Sequence, residues 1–206
     1  DAMGIQGFGG ALRLRKQFVE KFNGPEFNND QRNNILSGTR NIEITNVTDR
    51  DQGYILFKFS NRTSTGIAGS NSTFADTDFP LFRFADVYLM YAECALRGAT
   101  NASISQATTY INLLRERANN GSTIANISQS DLNLDFILDE RSRELHWEGH
   151  RRQDLIRFNK FTGGNYNWAW KGNGVNGIAL PQHFKIFPIH PATLASNPNL
   201  TQNLGY

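Results

Sequence analysis

The stretch Leu138-Asp-Glu-Arg-Ser-Arg-Glu-Leu-His-Trp-Glu-Gly-His-Arg-Arg-Gln-Asp-Leu-Ile-Arg-Phe158 decides how this chain is interpreted. It places five acidic residues and five arginines around a single tryptophan. Charged side chains are almost never fully buried unless they are paired. Opposite charges at this density around an aromatic residue therefore indicate a paired, partly buried cluster rather than a solvated helix face. Three explanations are open for the stretch: a catalytic cluster, a metal site, or an internal frame of ion pairs.

The composition limits the class of protein. At 206 residues the chain suits one domain with a sizeable core, or a piece of a larger protein. Its 21 basic and 19 acidic residues are interleaved, which argues against nucleic acid as the main partner. No apolar run approaches the roughly 18 residues that are needed to cross a bilayer. The single cysteine, Cys94, excludes an internal disulfide and a metal site built from thiolates.

Two neighbouring helices are predicted in the middle of the chain. Apolar residues recur every three or four positions from Leu81 to Arg97, and Gly98 follows where a C-cap belongs. The residues that recur at this spacing are Phe84, Val87, Tyr88, Tyr91, Ala92 and Ala95. A second helix is predicted from Ser103 or Ser105 to Ala118. Two helices joined by a short turn are typical of a tetratricopeptide-type hairpin.

The charged stretch is predicted to lie on a third helix. Ser130-Asp131 or Asn133 caps its start, and the helical spacing continues to Trp147, which we expect in the core. Gly149 is expected to interrupt the helix before a further helical turn or two at 150–158.

The remainder of the chain is rich in loops. A short helix is predicted at 12–22, one strand at Tyr54–Phe59, and a helical turn at Pro191–Ser196. The predicted fold class is mainly α: a tetratricopeptide-like helix hairpin, an irregular loop-rich C-terminal region and few short strands.

Two apparent motifs for a metal or a cofactor lack the secondary structure that such sites require. His146 and His150 have the spacing that lets a helix face hold zinc, but Gly149 breaks the helix between them. Gly172–Gly177 matches a dinucleotide-binding string, but it follows no predicted strand and opens no helix. The sequence therefore predicts neither a metal site nor a cofactor.

The acidic residues of the charged stretch first suggest a glycosidase. Such enzymes need two carboxylates that face each other across a cleft, at about 5–9.5 Å and usually on different elements. Acids one turn apart among arginines are better explained by bidentate ion pairs. We predict no catalytic residue. The predicted structural frame consists of Glu140, Arg143, Glu144, Glu148, Arg151, Arg152 and Asp154.

Five segments together carry a family resemblance: Gly7–Gly10, Asp30–Arg32, Asp78–Cys94, Leu138–Phe158 and Phe187–Tyr206. In this order they resemble the C-terminal half of the SusD/RagB family, which are surface nutrient-binding lipoproteins of Bacteroidetes. The resemblance implies a non-enzymatic protein that binds oligosaccharides, or peptides in some relatives. It also implies delivery of the ligand to a SusC-like TonB-dependent transporter.

The resemblance also implies a domain organisation and a location. The whole chain, 1–206, is a C-terminal SusD/RagB-like region with a loop-rich lead-in (1–79), an αα-hairpin (80–120), a charged helix pair (130–160), and loops and a tail (161–206). Since family members are more than twice as long, we expect the N-terminal half to be absent from this chain. The implied location is the extracellular face of the outer membrane, with a lipid anchor on an N-terminal cysteine outside this chain.

The resemblance does not transfer a binding site, so ligand-binding residues are nominated from chemistry. Sugar faces stack on exposed aromatic rings, and amides bind hydroxyls. Tyr166, Trp168 and Trp170 in a Gly/Asn-rich loop fit this description, as does Phe8 in the glycine segment. If the loop is extended, Trp168 and Trp170 point to opposite sides. The alternative is that these rings only hold the loop in place.

Two other classes of function are considered. A protein-interaction scaffold would use the hairpin at Leu81–Ala118 as a docking groove. A hydrolase would depend on Glu140 or Glu144 for turnover of a polysaccharide.

Overall fold

The computed structural model describes residues 4–6 and 12–206. The chain forms two compact units, Asp1–Arg151 and Arg152–Tyr206. The architecture is mainly α-helical with few strands, as the sequence predicted. In the described part of the chain, no helix is long and apolar enough to span a membrane.

The elements follow one another along the chain in a simple order. The α-helices and strands are α1 (Lys16–Val19), β1 (Ile35–Leu36), β2 (Ile55–Leu56), α2 (Phe84–Leu96), α3 (Ile104–Ala118), α4 (Leu134–Leu145), α5 (Arg151–Arg157) and α6 (Pro191–Ser196). Short 3-10 helices lie at Glu20–Phe22, Pro25–Phe27, Lys171–Asn173 and Gln182–Lys185.

α2 and α3 form the predicted hairpin, and local signals define the turn between them. Gly98 adopts φ +84°, and the N–H of Ala99 donates to the carbonyl of Cys94 at 3.0 Å, which closes α2 with a Schellman motif. Ser103 then begins α3, because its hydroxyl accepts from the N–H of Gln106 at 3.1 Å. Small buried alanines, including Ala92 and Ala107, line the two helices.

Only part of the recurring apolar positions of α2 is buried. The helix begins at Phe84, and Phe84 and Val87 lie exposed at 78% and 48%. The buried positions are Ala85, Asp86, Leu89, Ala92, Glu93 and Ala95. α2 is apolar on both faces, so periodicity alone does not choose between them. The face that is buried carries Asp86, which pairs with Arg141 of α4 at 2.8 Å.

α4 begins as predicted and ends earlier than predicted. The side chain of Asn133 caps it by accepting from the N–H of Phe136 at 2.9 Å. The helix ends at Leu145, because the backbone of His146 leaves the helical region at ψ 143°. Lys58 Nζ donates to the carbonyls of Glu144 (3.0 Å) and His146 (2.8 Å), which would otherwise lack partners at this helix end.

The expectation that Trp147 continues this helix and lies in the core is wrong. Its backbone is left-handed, at φ +63°, and its side chain is 41% exposed. Gly149, at φ +81°, then completes the break that the sequence predicted before α5.

The lead-in is less regular than the sequence suggested. The predicted helix at 12–22 is α1 followed by one 3-10 turn, and the predicted strand is reduced to Ile55–Leu56. β2 pairs antiparallel with β1, with Ile35 opposite Leu56, and the shortness of β1 limits the ladder to two residues. Leu56 is fully buried in the core of the first unit, with Leu89, Ile111 and Ile137.

The second unit contains most of α5, a long loop and the tail. α6 forms at the predicted turn, where His190 Nδ1 accepts from the N–H of Ala192 at 3.2 Å and Pro191 occupies the first helical position. In the tail, the amide of Gln202 bonds both the N–H (2.8 Å) and the carbonyl (2.9 Å) of Ile189. That amide holds the tail beside the extended segment that precedes α6.

Candidate functional site

Glu140 is the most buried member of the charged stretch. Its carboxylate accepts from Arg32 at 2.7 Å, from Arg115 at 2.8 Å and from Arg143 at 2.7 Å, and the residue is 0% exposed. Burial by itself raises the pKa of a carboxyl, but the three arginines outweigh it and hold the pKa of Glu140 far below its usual range.

Glu144 and Glu148 extend the same ion-pair frame towards α2. Arg83 donates Nη1 to Glu144 and Nε to Glu148, both at 2.6 Å. Glu144 also accepts from Arg117 at 2.7 Å and from Arg32 at 3.1 Å. Despite burial, which raises the pKa of a carboxyl, these arginines lower the pKa of Glu144. Lys58 completes the set by pairing with Glu148.

The ion-pair frame connects segments that are distant in sequence. Arg32 comes from the lead-in, Arg83 precedes α2, and Arg115 lies near the end of α3, while the acids line α4. A general acid needs a raised pKa, whereas those of Glu140 and Glu144 are both lowered. The arrangement is suited to hold helices together rather than to transfer protons.

The structure brings together Glu140, Arg143, Glu144 and Glu148, but the other three predicted frame residues have different surroundings. Arg151 donates to the carbonyl of Leu138 at 2.9 Å. Arg152 and Asp154 belong to the second unit, where Asp154 pairs with Arg157 at 2.8 Å. The reason is the break after α4, which ends the shared helix face.

The partners that sequence reasoning missed are Arg32, Lys58, Arg83, Arg115 and Arg117. Three of them lie more than 60 positions before their acidic partners, so no local spacing marks them.

His146 is not placed for zinc binding with His150. It follows the last residue of α4, so the helical spacing between the two histidines is lost. Its Nδ1 lies 2.7 Å from the carbonyl of Arg143, and its ring centroid is 4.9 Å from that of Phe18. Burial, with the nearby charge of Lys58, lowers the pKa of His146 to about 4. Across 4–6 and 12–206, no cluster of three His, Cys, Asp or Glu residues could hold a metal ion.

The aromatic loop, Phe161–Leu180, is the second feature of interest. An antiparallel bridge between Gly163 and Leu180 closes it, with an N–H to carbonyl distance of 2.8 Å. The ring centroid of Trp168 lies 6.2 Å from that of Tyr166 and 6.2 Å from that of Phe161. The loop therefore brings three rings together, and Tyr166 and Trp168 are both half-buried.

Trp170 is oriented by a different local geometry. It adopts a left-handed conformation at φ +67° and begins the 3-10 turn Lys171–Asn173. The backbone is not extended here, so the alternation expected for Trp168 and Trp170 in a strand does not apply. Phe8, the fourth nominated residue, lies outside the described residues.

Lys171 organises the aromatic loop from inside, although sequence reasoning did not single it out. It is 1% exposed, and its ammonium donates to the carbonyls of Gly163 (2.8 Å) and Tyr166 (2.7 Å) and to Oδ1 of Asn167 (3.2 Å). The same ammonium lies 4.9 Å from the ring centroid of Trp168. Burial lowers the pKa of Lys171. A lone lysine in a Gly/Asn-rich loop carries no sequence signal for this role.

A third feature is the α2 apolar stripe, defined as Phe84, Val87, Met90 and Cys94. These four positions of α2 are exposed and uncharged. Both acidic residues of the helix, Asp86 and Glu93, are buried. Just before the helix, Phe82 is 91% exposed, so the apolar surface continues beyond the first turn.

Comparisons with known proteins agree on one family. The family model SusD_RagB, described as the SusD family, matches residues 14–206. The starch-binding protein SusD of Bacteroides thetaiotaomicron is 37% identical over 172 residues, which cover 84% of this chain and 29% of that protein. The SusD-like protein P38 of Formosa agariphila is 37% identical over 139 residues, 64% of this chain and 25% of that protein. The chain thus spans less than a third of the length of either relative.

Solved structures show the same fold. A SusD superfamily protein from Parabacteroides distasonis superposes with a TM-score of 0.59 over 94% of this chain and 42% of that chain, at 21% identity. Another, from Bacteroides vulgatus, gives a TM-score of 0.51 at 28% identity over 68% of this chain and 31% of that chain. The family model, the curated relatives and the fold lead to one conclusion: the chain belongs to the SusD family.

Proposed function

We propose that this chain binds oligosaccharides without turning them over, and that the aromatic loop Phe161–Leu180 supplies the contact surface. The observation that carries the proposal is the pair of rings Tyr166 and Trp168, of which Trp168 lies over the ammonium of the buried Lys171. A relative with 37% identity is named a starch-binding protein, which supports a glycan as the ligand class.

The chemistry of the loop suits a sugar ring. A pyranose has an apolar face that buries well against an aromatic ring, while its hydroxyls need donors and acceptors at the edge. Asn165 and Asn173 are exposed in the same loop and offer both. Because hydrogen bonds to Lys171 hold the loop in one conformation, less entropy is lost when a ligand binds.

The ion-pair frame supports the non-enzymatic part of the proposal. Arginines engage both oxygens of Glu140 and both oxygens of Glu144. Their lowered pKa values leave them ionised at neutral pH, without a proton to donate. A hydrolase that used these residues would need the opposite shift in one of them.

Membership of the SusD family extends the proposal to location and partners. We infer a protein on the outer face of the outer membrane, lipid-anchored through a cysteine outside this chain. It would deliver its ligand to a SusC-like TonB-dependent transporter. A peptide in place of the glycan is the alternative ligand within the family.

A second candidate function is protein docking. The α2 apolar stripe favours it, because contiguous exposed apolar surface often marks an interaction site. A pull-down in which this chain retains a transporter but binds no glycan would favour the scaffold over the glycan-binding protein.

Isothermal titration against soluble starch and a panel of other glycans and peptides tests the primary proposal. We expect Trp168→Ala to weaken glycan binding on the order of tenfold, because the lost ring contact contributes about 1.4 kcal/mol. Trp147→Ala is the matched control, since Trp147 is a half-exposed tryptophan of the first unit and should not affect binding.

Two results would contradict the proposal. Binding that survives in Trp168→Ala but is lost in Trp147→Ala would move the site to the first unit. If no glycan in the panel binds, the docking function is favoured over glycan binding.

A further inference from the structure

The aromatic loop is almost free of charge. Between residues 161 and 180 the sequence contains one charged side chain, that of Lys171, and no acidic residue. Its other polar side chains are amides, a threonine and a tyrosine hydroxyl. The loop itself therefore offers a ligand only uncharged groups unless Lys171 is available to it.

Lys171 is not available, because the loop itself engages its ammonium. An ammonium has three N–H donors, and those of Lys171 have three acceptors within 3.2 Å: the carbonyls of Gly163 and Tyr166 and the amide oxygen of Asn167. The residue is 1% exposed, and the ring of Trp168 lies beside the ammonium. The positive charge faces inward and serves to position the rings.

The glycines of the loop make this inward position possible. Gly177 adopts φ +78°, and a Cβ at this position would lie 2.4 Å from the carbonyl oxygen of Trp168. The N–H of Ile178 donates to the carbonyl of Lys171 at 3.0 Å, so the two sides of the loop meet directly around the lysine.

Resting on the glycan-binding function proposed above, we propose that the aromatic loop selects uncharged saccharides and that Lys171 is its positioning residue. A carboxylate or sulfate pressed against Tyr166 and Trp168 would lose water without gaining a cation from the loop itself. The hydroxyls of a neutral sugar lose far less, because the exposed amides of Asn165, Asn173 and Asn176 can replace water.

The second unit carries other positive charges, whose attraction for anions has to be distinguished from the loop's preference for uncharged saccharides. Arg152, Arg157, Lys160 and Lys185 outnumber the single acid, Asp154. Arg157 is paired with Asp154. Arg152 lies nearest the loop: its guanidinium carbon is 5.0 Å from the ring centroid of Phe161 and 4.2 Å from that of Phe187, and its Nη2 donates to the carbonyls of Phe184 and Lys185. Their combined field attracts polyanions at long range, but salt at about 0.15 M screens it beyond about 8 Å.

The test uses pairs of polysaccharides that share a backbone and differ in charge. Soluble starch is compared with carboxymethyl starch, hydroxyethyl cellulose with carboxymethyl cellulose, and dextran with dextran sulfate, by affinity electrophoresis and titration at 0.15 M and 0.5 M salt. For the backbone that binds, we expect the neutral member to bind about tenfold more tightly, unaffected by salt and dependent on Trp168.

Each other outcome decides a different question. If the anionic member binds as tightly as its neutral partner at 0.15 M salt and loses binding in Trp168→Ala, selection of uncharged saccharides is overturned while glycan binding stands. If no probe binds in a Trp168-dependent way, the proposed function fails and this inference fails with it.

The role of Lys171 is tested with Lys171→Met, which keeps the length of the side chain and removes its three donors, and with Lys171→Arg. We expect Lys171→Met to weaken neutral binding about tenfold and to expose Trp168 to acrylamide quenching. Lys171→Arg retains the charge and should recover part of the binding. If Lys171→Met instead abolishes only the binding of an anionic probe, the lysine faces the ligand and the inference is wrong.

Discussion

Glu144 is the residue at which the lead-in, α2 and α3 are all joined to α4. It accepts from Arg32, Arg83 and Arg117 and is 3% exposed. Removal of one partner from a buried ion pair leaves the other charges uncompensated. We therefore expect Glu144→Ala to lower the free energy of unfolding by about 3 kcal/mol in urea titration.

An exposed ion pair provides the control for this substitution. Glu43 pairs with Lys16 at the surface, so Glu43→Ala should change the free energy of unfolding far less than Glu144→Ala does. If Glu144→Ala unfolds at the same urea concentration as the unmodified chain, the ion-pair frame does not stabilise the fold.

His146 makes the stability of the first unit depend on pH. Its folded pKa of about 4 lies below its ordinary value of 6.5, so the unfolded chain binds the proton more tightly. Its contribution is complete above about pH 6.5 and is lost as the pH falls towards 4. Between pH 7 and pH 5 we expect a loss of about 1–2 kcal/mol from this group.

His146→Asn removes the titrating ring and should flatten this slope. Urea titrations at pH 7, 6 and 5 measure it. The carboxylates do not obscure the result, because Glu140 and Glu144 have lowered folded pKa values. Their contribution persists above the ordinary value of 4.5 and is lost only below it. An equal slope in both proteins would show that His146 is not held neutral by its surroundings.

At the scale of the element, the turn between α2 and α3 is set by one conformational requirement. Gly98 adopts φ +84°, and no heavy atom lies within 4 Å of the position that a Cβ would occupy. Any cost of a side chain here is therefore conformational rather than steric. We expect Gly98→Ala to lower the free energy of unfolding by about 1 kcal/mol.

Gly98→Asn is the matched comparison for this turn. Asparagine tolerates the left-handed region better than alanine, so its cost should be clearly smaller in the same urea titration. Equal costs for the two variants would mean that the turn does not depend on the left-handed conformation.

The elements themselves were predictable where local chemistry decides them. The caps at Ser103 and Asn133 and the glycine at 98 are readable from the sequence because each acts within four residues. The end of α4 was not predictable from local spacing, because the carbonyl of Glu144 there is bonded by Lys58, 86 positions earlier in the chain. Trp147, two residues beyond the end, is left-handed and exposed.

At the scale of the whole molecule, the family could be predicted from local motifs, whereas the site depends on contacts between residues that are distant in sequence. Motifs in order along the chain identify the family, and the ion-pair frame was predicted on its acidic side because the glutamates are one turn apart. On its basic side only Arg143 was predicted and found with these acids; partners such as Arg32 and Arg83 have no helical spacing that connects them to α4. In the aromatic loop, the rings were nominated from composition. The inward position of Lys171 depends on three carbonyl or amide oxygens that only the folded loop brings together.

We expect the α2 apolar stripe to affect how whole molecules associate. Val87 and Met90 are 48% and 44% exposed, so their replacement by glutamine disturbs much less buried surface than a change at the fully buried Leu89. The double variant Val87→Gln, Met90→Gln should change the free energy of unfolding by about 0.5 kcal/mol or less. It should also reduce concentration-dependent association in sedimentation velocity, because it places polar groups in contiguous apolar surface. Leu89→Ala, one position away and fully buried, should cost about 2–5 kcal/mol and serves as the contrast. If the double variant is destabilised as strongly as Leu89→Ala, the stripe is packed within the chain and is not available to a partner.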